Sequence, residues 1–330
     1  MITKNLQMIF IIMNRSKPMI IESLNQSQIN DEKIKSFVRY LKKEKIESCL
    51  VSVGSDIVLQ YFRNNKSKDK LHKINSCTKS ITSCLIGIAV EQGLILDLHT
   101  PIFHYFPSLQ QDKDIRKQSI TIEHLLSMSA GFDWPELGEW NGWPAMIHSP
   151  NWVDYILERP LNAEPGERMN YNSGCSHLLL AILQQVSGMS AKDFAIKYLF
   201  SSLKMKDFIW HVDPQGVNIG GFGIHMSIQD MQKFGYFYLT KGRYGKRQLL
   251  SEEWIATSTQ PKYLTYDYIG YYGHHWWVAN ESLENSFYFA MGMGGQYICV
   301  DHSQNIVVAL TSDTYGDTLK PLKAIAELLR

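Results

Sequence analysis

The chain has 330 residues, 45% of them hydrophobic and 20% charged, which is too apolar for a disordered segment and ordinary for a globular protein. Lys and Arg number 33 against 32 Asp and Glu, a net charge of +1 with no long basic run, which excludes electrostatic capture of nucleic acid. No apolar run reaches the ~18–20 residues that cross a bilayer, and the five cysteines (Cys49, Cys77, Cys84, Cys175, Cys299) form no C-x-x-C pair, against a disulfide scaffold or a four-Cys zinc site.

In chain order, Met8–Met13 is apolar and follows Lys4, but it is too short for the core of a secretory signal and lacks an Ala-x-Ala exit. A cytoplasmic protein is expected; an uncleaved or mis-started N-terminus is the alternative. Residues 1–30 show no clear period and read as an N-terminal extension. Ile34, Phe37, Val38 and Leu41 then fall at i, i+3, i+4 and i+7, the stripe of an amphipathic helix. Ser48–Val53 and Asp56–Phe62, joined by Gly54-Ser55, predict a hairpin, and the charged stretch Lys66–Lys73 predicts a loop. Ile81–Val90 is apolar on almost every side and predicts an interior helix ending at Gly93. From about 95 to 240 the chain reads as helices joined by long loops, with starts near Thr121, after Ser173, near Ala191 and after the cap-like Ser227-x-x-Asp230. Gly270–Asn280, Ser286–Ala290, Gln296–Asp301 and Ile306–Thr311 predict strands, the last two a hairpin, before a helix over Leu319–Leu329.

This order predicts an α+β fold: an antiparallel sheet flanked by helices, built from both chain ends, with a helical subdomain inserted. Residues 31–330 are expected to form a single domain, its α/β part at about 31–75 and 245–330 and its mainly helical part at about 76–244.

Ser76-Cys77-Thr78-Lys79 stands immediately before the interior helix. Residues three apart in a first helical turn share a face, so the Ser hydroxyl and the Lys ammonium can meet. The helix N-terminus adds free N–H groups and partial positive charge, and a buried Lys loses proton affinity and can serve as a base. The same spacing recurs at Ser67–Lys70, in a charged segment, and at Ser201–Lys204, which precedes no long apolar helix. A helix cap with a snorkelling Lys is the structural alternative at Ser76. The second element is Pro165–Gly174, a turn-rich segment that carries Tyr171 and Ser173 and leads into another apolar helix.

Together, Ser76–Lys79 and Tyr171-Asn172-Ser173 resemble the serine β-lactamase and penicillin-binding-protein superfamily, whose motifs are S-x-x-K, Tyr-x-Asn or Ser-x-Asn, and Lys-Thr-Gly on a strand. The likeness is to its class C branch with the esterases, D-aminopeptidases and 6-aminohexanoate-dimer hydrolases. Asn75–Ser83, Thr121–Gly131, Gly221–Asp230 and Gly294–Val300 resemble further family segments, so the likeness runs from about residue 35 to the C-terminus. Two departures stand out. Ser173 replaces the family's carboxamide, and Ala290-Met291-Gly292 replaces Lys-Thr-Gly, which removes the cation that binds a β-lactam carboxylate.

The resemblance implies Ser76 as the acylated nucleophile, with Lys79 and Tyr171 sharing its proton; either could be the base. It implies the backbone N–H groups of Ser76 and Met293 as the oxyanion hole, and Ser173 and Gly292 as substrate contacts. Four of the eight Trp residues, Trp134, Trp140, Trp143 and Trp152, crowd one segment, and Trp134 and Trp143 are expected to wall an apolar pocket or to bury against the helices. His274-His275 would point to opposite faces of a strand, a poor chelate, so neither metal nor cofactor is expected. His225 reads as a loop or packing residue. The expected function is cleavage of a small-molecule ester or amide through an acyl-enzyme, with poor or no β-lactamase activity and neither nucleic-acid nor membrane partner. The alternatives are a non-catalytic binding module on the same scaffold and a D-amino-acid peptidase.

Overall fold

A computed structural model describes residues 18–22, 29–44, 46–136, 142–280, 287–313 and 318–330. Within the expected N-terminal extension, Met19–Glu22 forms strand β1, paired antiparallel with a later strand. Helix α1, Asp31–Lys43, starts at Asn30, whose side chain accepts from the Glu32 N–H, and it buries the Ile34, Phe37, Val38 and Leu41 stripe. Strands β2, Ser48–Val53, and β3, Asp56–Phe62, form the expected hairpin, with Gly54 at φ 56 in the turn. The expected loop beyond it instead holds a helical turn, α2 (Asn65–Lys68), and a short strand, β4 (His72–Lys73). Asn64 caps that turn by accepting from the Ser67 N–H, a local signal the charge run concealed.

A 3₁₀ turn over Asn75–Cys77 leads into helix α3, Thr78–Glu91. Every residue of α3 from Thr78 to Ala89 is buried, Lys79 included. Short helices α4, Ile122–Leu126, α5, Gly142–Ile147, and α6, Trp152–Leu157, precede the long α7, Ser173–Ser187, and α8, Ala191–Ala195. Strands β5, Phe208–Trp210, and β6, Ile224–Met226, join β4 in a small sheet of order β4-β6-β5. Helix α9, Ile228–Leu239, starts at Ser227, which accepts from the Asp230 N–H. A two-residue hairpin, β7 (Arg243–Tyr244) and β8 (Arg247–Gln248), and helix α10, Glu252–Ser258, follow.

The remaining strands are β9, Tyr263–Leu264; β10, Gly270–Tyr272; β11, Trp277–Ala279; β12, Tyr288–Gly292; β13, Gln296–Asp301; and β14, Ile306–Thr311, before helix α11, Lys320–Leu329. Gly270–Asn280 is therefore not one strand. The chain turns back at Gly273–Trp276 with His275 at φ 61, so β10 and β11 are a hairpin. The strand expected at 286–290 begins at Tyr288 and continues to Gly292, and Ser286 lies outside the described residues.

Among the described residues the main sheet runs β1-β3-β2-β14-β13-β12-β11-β10-β9, all pairs antiparallel. Its centre joins the two chain ends through β2 and β14. Alternation splits β14 between two cores. Ile306, Val308 and Leu310 pack on the α1 and α11 side, while Val307 and Ala309 pack on the side of α3, α7 and α9. A strand covered on both faces reads as a continuous apolar run, and each buried Val, Leu or Ile side chain stabilises the fold by roughly 1.5–3 kcal/mol. No helix among the described residues is long and apolar enough to cross a membrane.

Candidate active site

Ser76 sits in the 3₁₀ turn at the head of α3, at one edge of a cavity of about 520 Å³. Two features bring this turn against the end of β12. The side chain of Asn75 donates to the Met293 carbonyl at 2.6 Å. A Cβ on Gly292 would lie 2.3 Å from the Ile74 carbonyl oxygen, so only glycine lets the strand end approach this closely. Ser76 and Met293, the two residues expected to supply the oxyanion-hole N–H groups, both line the cavity.

Lys79, three residues into the same helical run, is 1% exposed. Its Nζ donates to Ser76 Oγ at 3.0 Å, to Ser173 Oγ at 2.9 Å and to the Gly221 carbonyl at 2.9 Å, and it stands 4.7 Å from the centre of the Tyr171 ring. The Gly221 carbonyl reaches it because the Gly220-Gly221 backbone lies directly on α7; a Cβ on Gly220 would fall 2.0 Å from the Ser176 carbonyl oxygen.

Tyr171-Asn172-Ser173 divides its labour at the start of α7. Asn172 is the cap and accepts from the Gly174 and Cys175 N–H groups at 2.7 and 3.2 Å. Tyr171 precedes the helix and lies in an aromatic box, stacked on Trp277 at 5.5 Å and edge-on to Tyr272 at 6.0 Å. Ser173 opens the helix and turns its hydroxyl to Lys79.

Burial lowers the Lys79 ammonium from its usual 10.5 to about 8, with the nearby Glu136 carboxylate opposing the shift. Burial, with Glu136 second, pushes the Tyr171 phenol well above its usual 10, and a hydrogen bond with Ser76 opposes the rise. The phenol therefore keeps its proton through the neutral range, and the amine is the first of the two to give its proton up as pH rises toward 8.

The sequence reading did not find Glu136. Its carboxylate accepts from the Ser173 N–H and hydroxyl, both at 2.6 Å, and from Trp134 Nε1 at 2.9 Å. Nor did it find Lys73, which lines the cavity from β4 and forms no ion pair among the described residues. The signals available were a carboxylate inside the Trp-rich segment and a Lys three places before Ser76.

Trp134 is not a pocket wall. It is fully buried in the helical core and holds Glu136. Trp152 is also buried there, Trp140 lies outside the described residues, and Trp143 falls on α5 with its side chain undescribed. Ala290 turns into the helical core while Met291 lines the cavity, so neither strand position offers a charge. His275 is not a strand residue; its Nε2 lies 2.9 Å from Ser176 Oγ in the interior. Among the described residues, no three His, Cys, Asp or Glu side chains are grouped to hold a metal ion. Ser67 bonds to Glu47 and Asn64, and Ser201 lies beyond α8. Neither lines the cavity.

Comparison with known proteins identifies the fold and the family. The 6-aminohexanoate-dimer hydrolase of Paenarthrobacter ureafaciens is 21% identical over 301 residues, covering 84% of this chain and 75% of that protein. The class C beta lactamase of Rhodobacter sphaeroides superposes with a TM-score of 0.69 at 15% identity, covering 91% of this chain and 99% of its own. EstCE1, a hydrolase with promiscuous acyltransferase activity, superposes with a TM-score of 0.74 at 15% identity, covering 91% and 98%. The beta-lactamase family profile matches residues 49–329, a span that takes in the Ser76 turn, the head of α7 and β12 alike, so the chain belongs to the beta-lactamase family and is a serine hydrolase of that fold.

Proposed function

We propose that the protein cleaves an ester or linear amide through an acyl-enzyme on Ser76, with Lys79 as the base. The observation that carries this reading is the buried Lys79 Nζ, 3.0 Å from Ser76 Oγ at the edge of the cavity. The Ser76 Oγ–carbon bond forms as the hydroxyl proton passes to neutral Lys79 and the carbonyl π pair moves onto oxygen. The N–H groups of Ser76 and Met293 receive that oxyanion. The carbonyl then re-forms, and the bond to the leaving oxygen or nitrogen breaks as the Lys79 proton reaches that atom through the Tyr171 hydroxyl. Water repeats the sequence: it loses a proton to the base, its oxygen bonds the acyl carbon, and Ser76 Oγ leaves with a proton restored.

The walls favour a neutral, apolar acyl group. Phe222, Tyr266, Tyr268, Ile269, Trp277 and Leu319 line the cavity, with Tyr266 and Tyr268 stacked at 5.5 Å. A relative named as a 6-aminohexanoate-dimer hydrolase and a structural neighbour named as a hydrolase with promiscuous acyltransferase activity support acyl transfer outside the β-lactams. One observation favours a second reading, a substrate carrying a carboxylate: Lys73 on the cavity wall. A fluorophosphonate probe tests the main reading. It is expected to label Ser76, located by peptide mass spectrometry, and Ser76→Ala is expected to lose both the label and turnover of p-nitrophenyl esters. Retained turnover in Ser76→Ala would overturn the reading. Paired p-nitrophenyl acetate and hemisuccinate assays of Lys73→Met decide the second: a selective loss on the charged ester supports it, an equal effect on both rejects it.

A further inference from the structure

The hydrogen bonds around Lys79 have a direction, and Glu136 sets it. A neutral amine has two N–H donors and one lone pair. The Gly221 carbonyl can only accept, so one N–H is committed to it. The other two partners are the Ser76 and Ser173 hydroxyls, each with a single proton to give. A carboxylate likewise only accepts, and Glu136 Oε1 lies 2.6 Å from Ser173 Oγ. The Ser173 proton therefore points to Glu136, and Ser173 receives the second Lys79 N–H. The lone pair is left facing one hydroxyl, that of Ser76. Trp134 Nε1 and the Ser173 N–H, the latter an otherwise unpaired donor of the first turn of α7, fix the other carboxylate oxygen.

We propose that Glu136 is a positioning residue for acylation: by taking the only proton of Ser173, it aims the Lys79 lone pair at the Ser76 hydroxyl. This rests on the reading of Ser76 as nucleophile and Lys79 as base. It assigns Ser173 a part in the relay where the family's carboxamide stood. An amide could also accept from Lys79, but its own donors would have no fixed direction without a partner such as Glu136.

The charge of Glu136 has a second, separable effect. Lys79 is faced by Glu136 from the loop before α5, by Tyr171 and Cys175 from the head of α7, by Cys77 from the nucleophile turn and by His275 from the β10–β11 turn. Of these Glu136 is the carboxylate, so neutralising it disfavours the ammonium and moves the acid limb of the kcat/KM profile to lower pH. Damage to packing alone has no reason to move that limb.

The test is a double-mutant cycle of Glu136→Gln and Ser173→Ala, read in the single-turnover burst of p-nitrophenyl acetate, with kcat/KM profiles from about pH 5 to 10. Glu136→Gln is expected to slow the burst by about 10–100-fold when Ser173 is present. It is expected to slow it less than ~3-fold in Ser173→Ala, where no competing hydroxyl remains to be directed. The acid limb is expected about one unit lower in Glu136→Gln and close to wild type in Glu136→Asp. Should the Gln variant fail to melt cooperatively, Glu136→Met serves the same arms. Additive burst defects, or an unmoved acid limb, overturn the proposal while Ser76 labelling by fluorophosphonate still stands. Absence of that label in the wild type overturns the acyl-enzyme reading and this proposal with it.

Discussion

Lys79 places a basic amine in a site that is 1% exposed, and the consequence is measurable as stability. Burial lowers the amine from 10.5, its value in an unfolded chain, to about 8. Below pH 8 both states hold the proton, and the folded state bears the full cost of a buried charge. Between pH 8 and 10.5 the unfolded chain binds more protons than the folded one, so stability rises with pH. At about 1.36 kcal/mol per unit, the gap amounts to about 3 kcal/mol. Lys79→Met keeps the length of the side chain and removes the titration. Thiols and phenols that titrate in the same range are common to both proteins and cancel in the difference. Urea unfolding of wild type and Lys79→Met at intervals from pH 7 to 10.5 should therefore show the wild type gaining about 3 kcal/mol on the variant, most of it above pH 8. The Met variant should be inactive throughout. Two stability curves that stay parallel over this range would refute the argument that the amine is held far below its free value.

Other outcomes follow from the same geometry. The kcat/KM of the wild type on a neutral ester should rise with pH to a half-point near 8, because the proposed base, Lys79, acts in its neutral form. Tyr171→Phe and Lys79→Ala should each slow the burst, and together far less than additively, as members of one relay fail together. Gly292→Ala sets a methyl 2.3 Å from the Ile74 carbonyl oxygen, so the end of β12 must retreat by about 1 Å and kcat/KM should fall ~100-fold, with a lowered Tm; kcat/KM within ~3-fold of wild type would contradict the tight approach. A neutral acyl ester should be favoured over nitrocefin by at least ~100-fold in kcat/KM. Ala290→Lys should not narrow that ratio, and thermal melting should show it destabilised, because the side chain would point into the helical core.

Periodicity made the scaffold legible. The α1 stripe, the β2–β3 hairpin with its glycine turn, the fully buried α3 and the β13–β14 hairpin each carry a local pattern that packing reinforces. The Ser76–Lys79 spacing and Tyr171 were equally visible, since both stand at helix starts with apolar runs behind them. What stayed hidden depends on distant partners. Met19–Glu22 has no period of its own and becomes a strand by pairing with β3. The turn inside Gly270–Asn280 needs His275 in a left-handed conformation that few non-glycine residues adopt, held by its bond to Ser176. Glu136 acts on a residue 37 positions later, and Trp134 looked like a pocket wall because its indole partner was unknown.

The β2–β14 seam has a consequence for how the molecule comes into being. During synthesis the β2–β3 hairpin and the whole helical region emerge before β12, β13 and β14 exist, so β2 waits with one edge unpaired. Pairing it with β14 closes a loop that runs from Val53 to Ile306, a long-range contact of the kind that slows folding and lengthens exposure to aggregation. Met293 arrives with that late segment, whereas Ser76 and Lys79 are made early. The proposed nucleophile and base are thus translated long before the proposed oxyanion pair is complete, and on that reading hydrolytic competence is gained in the closing step of folding.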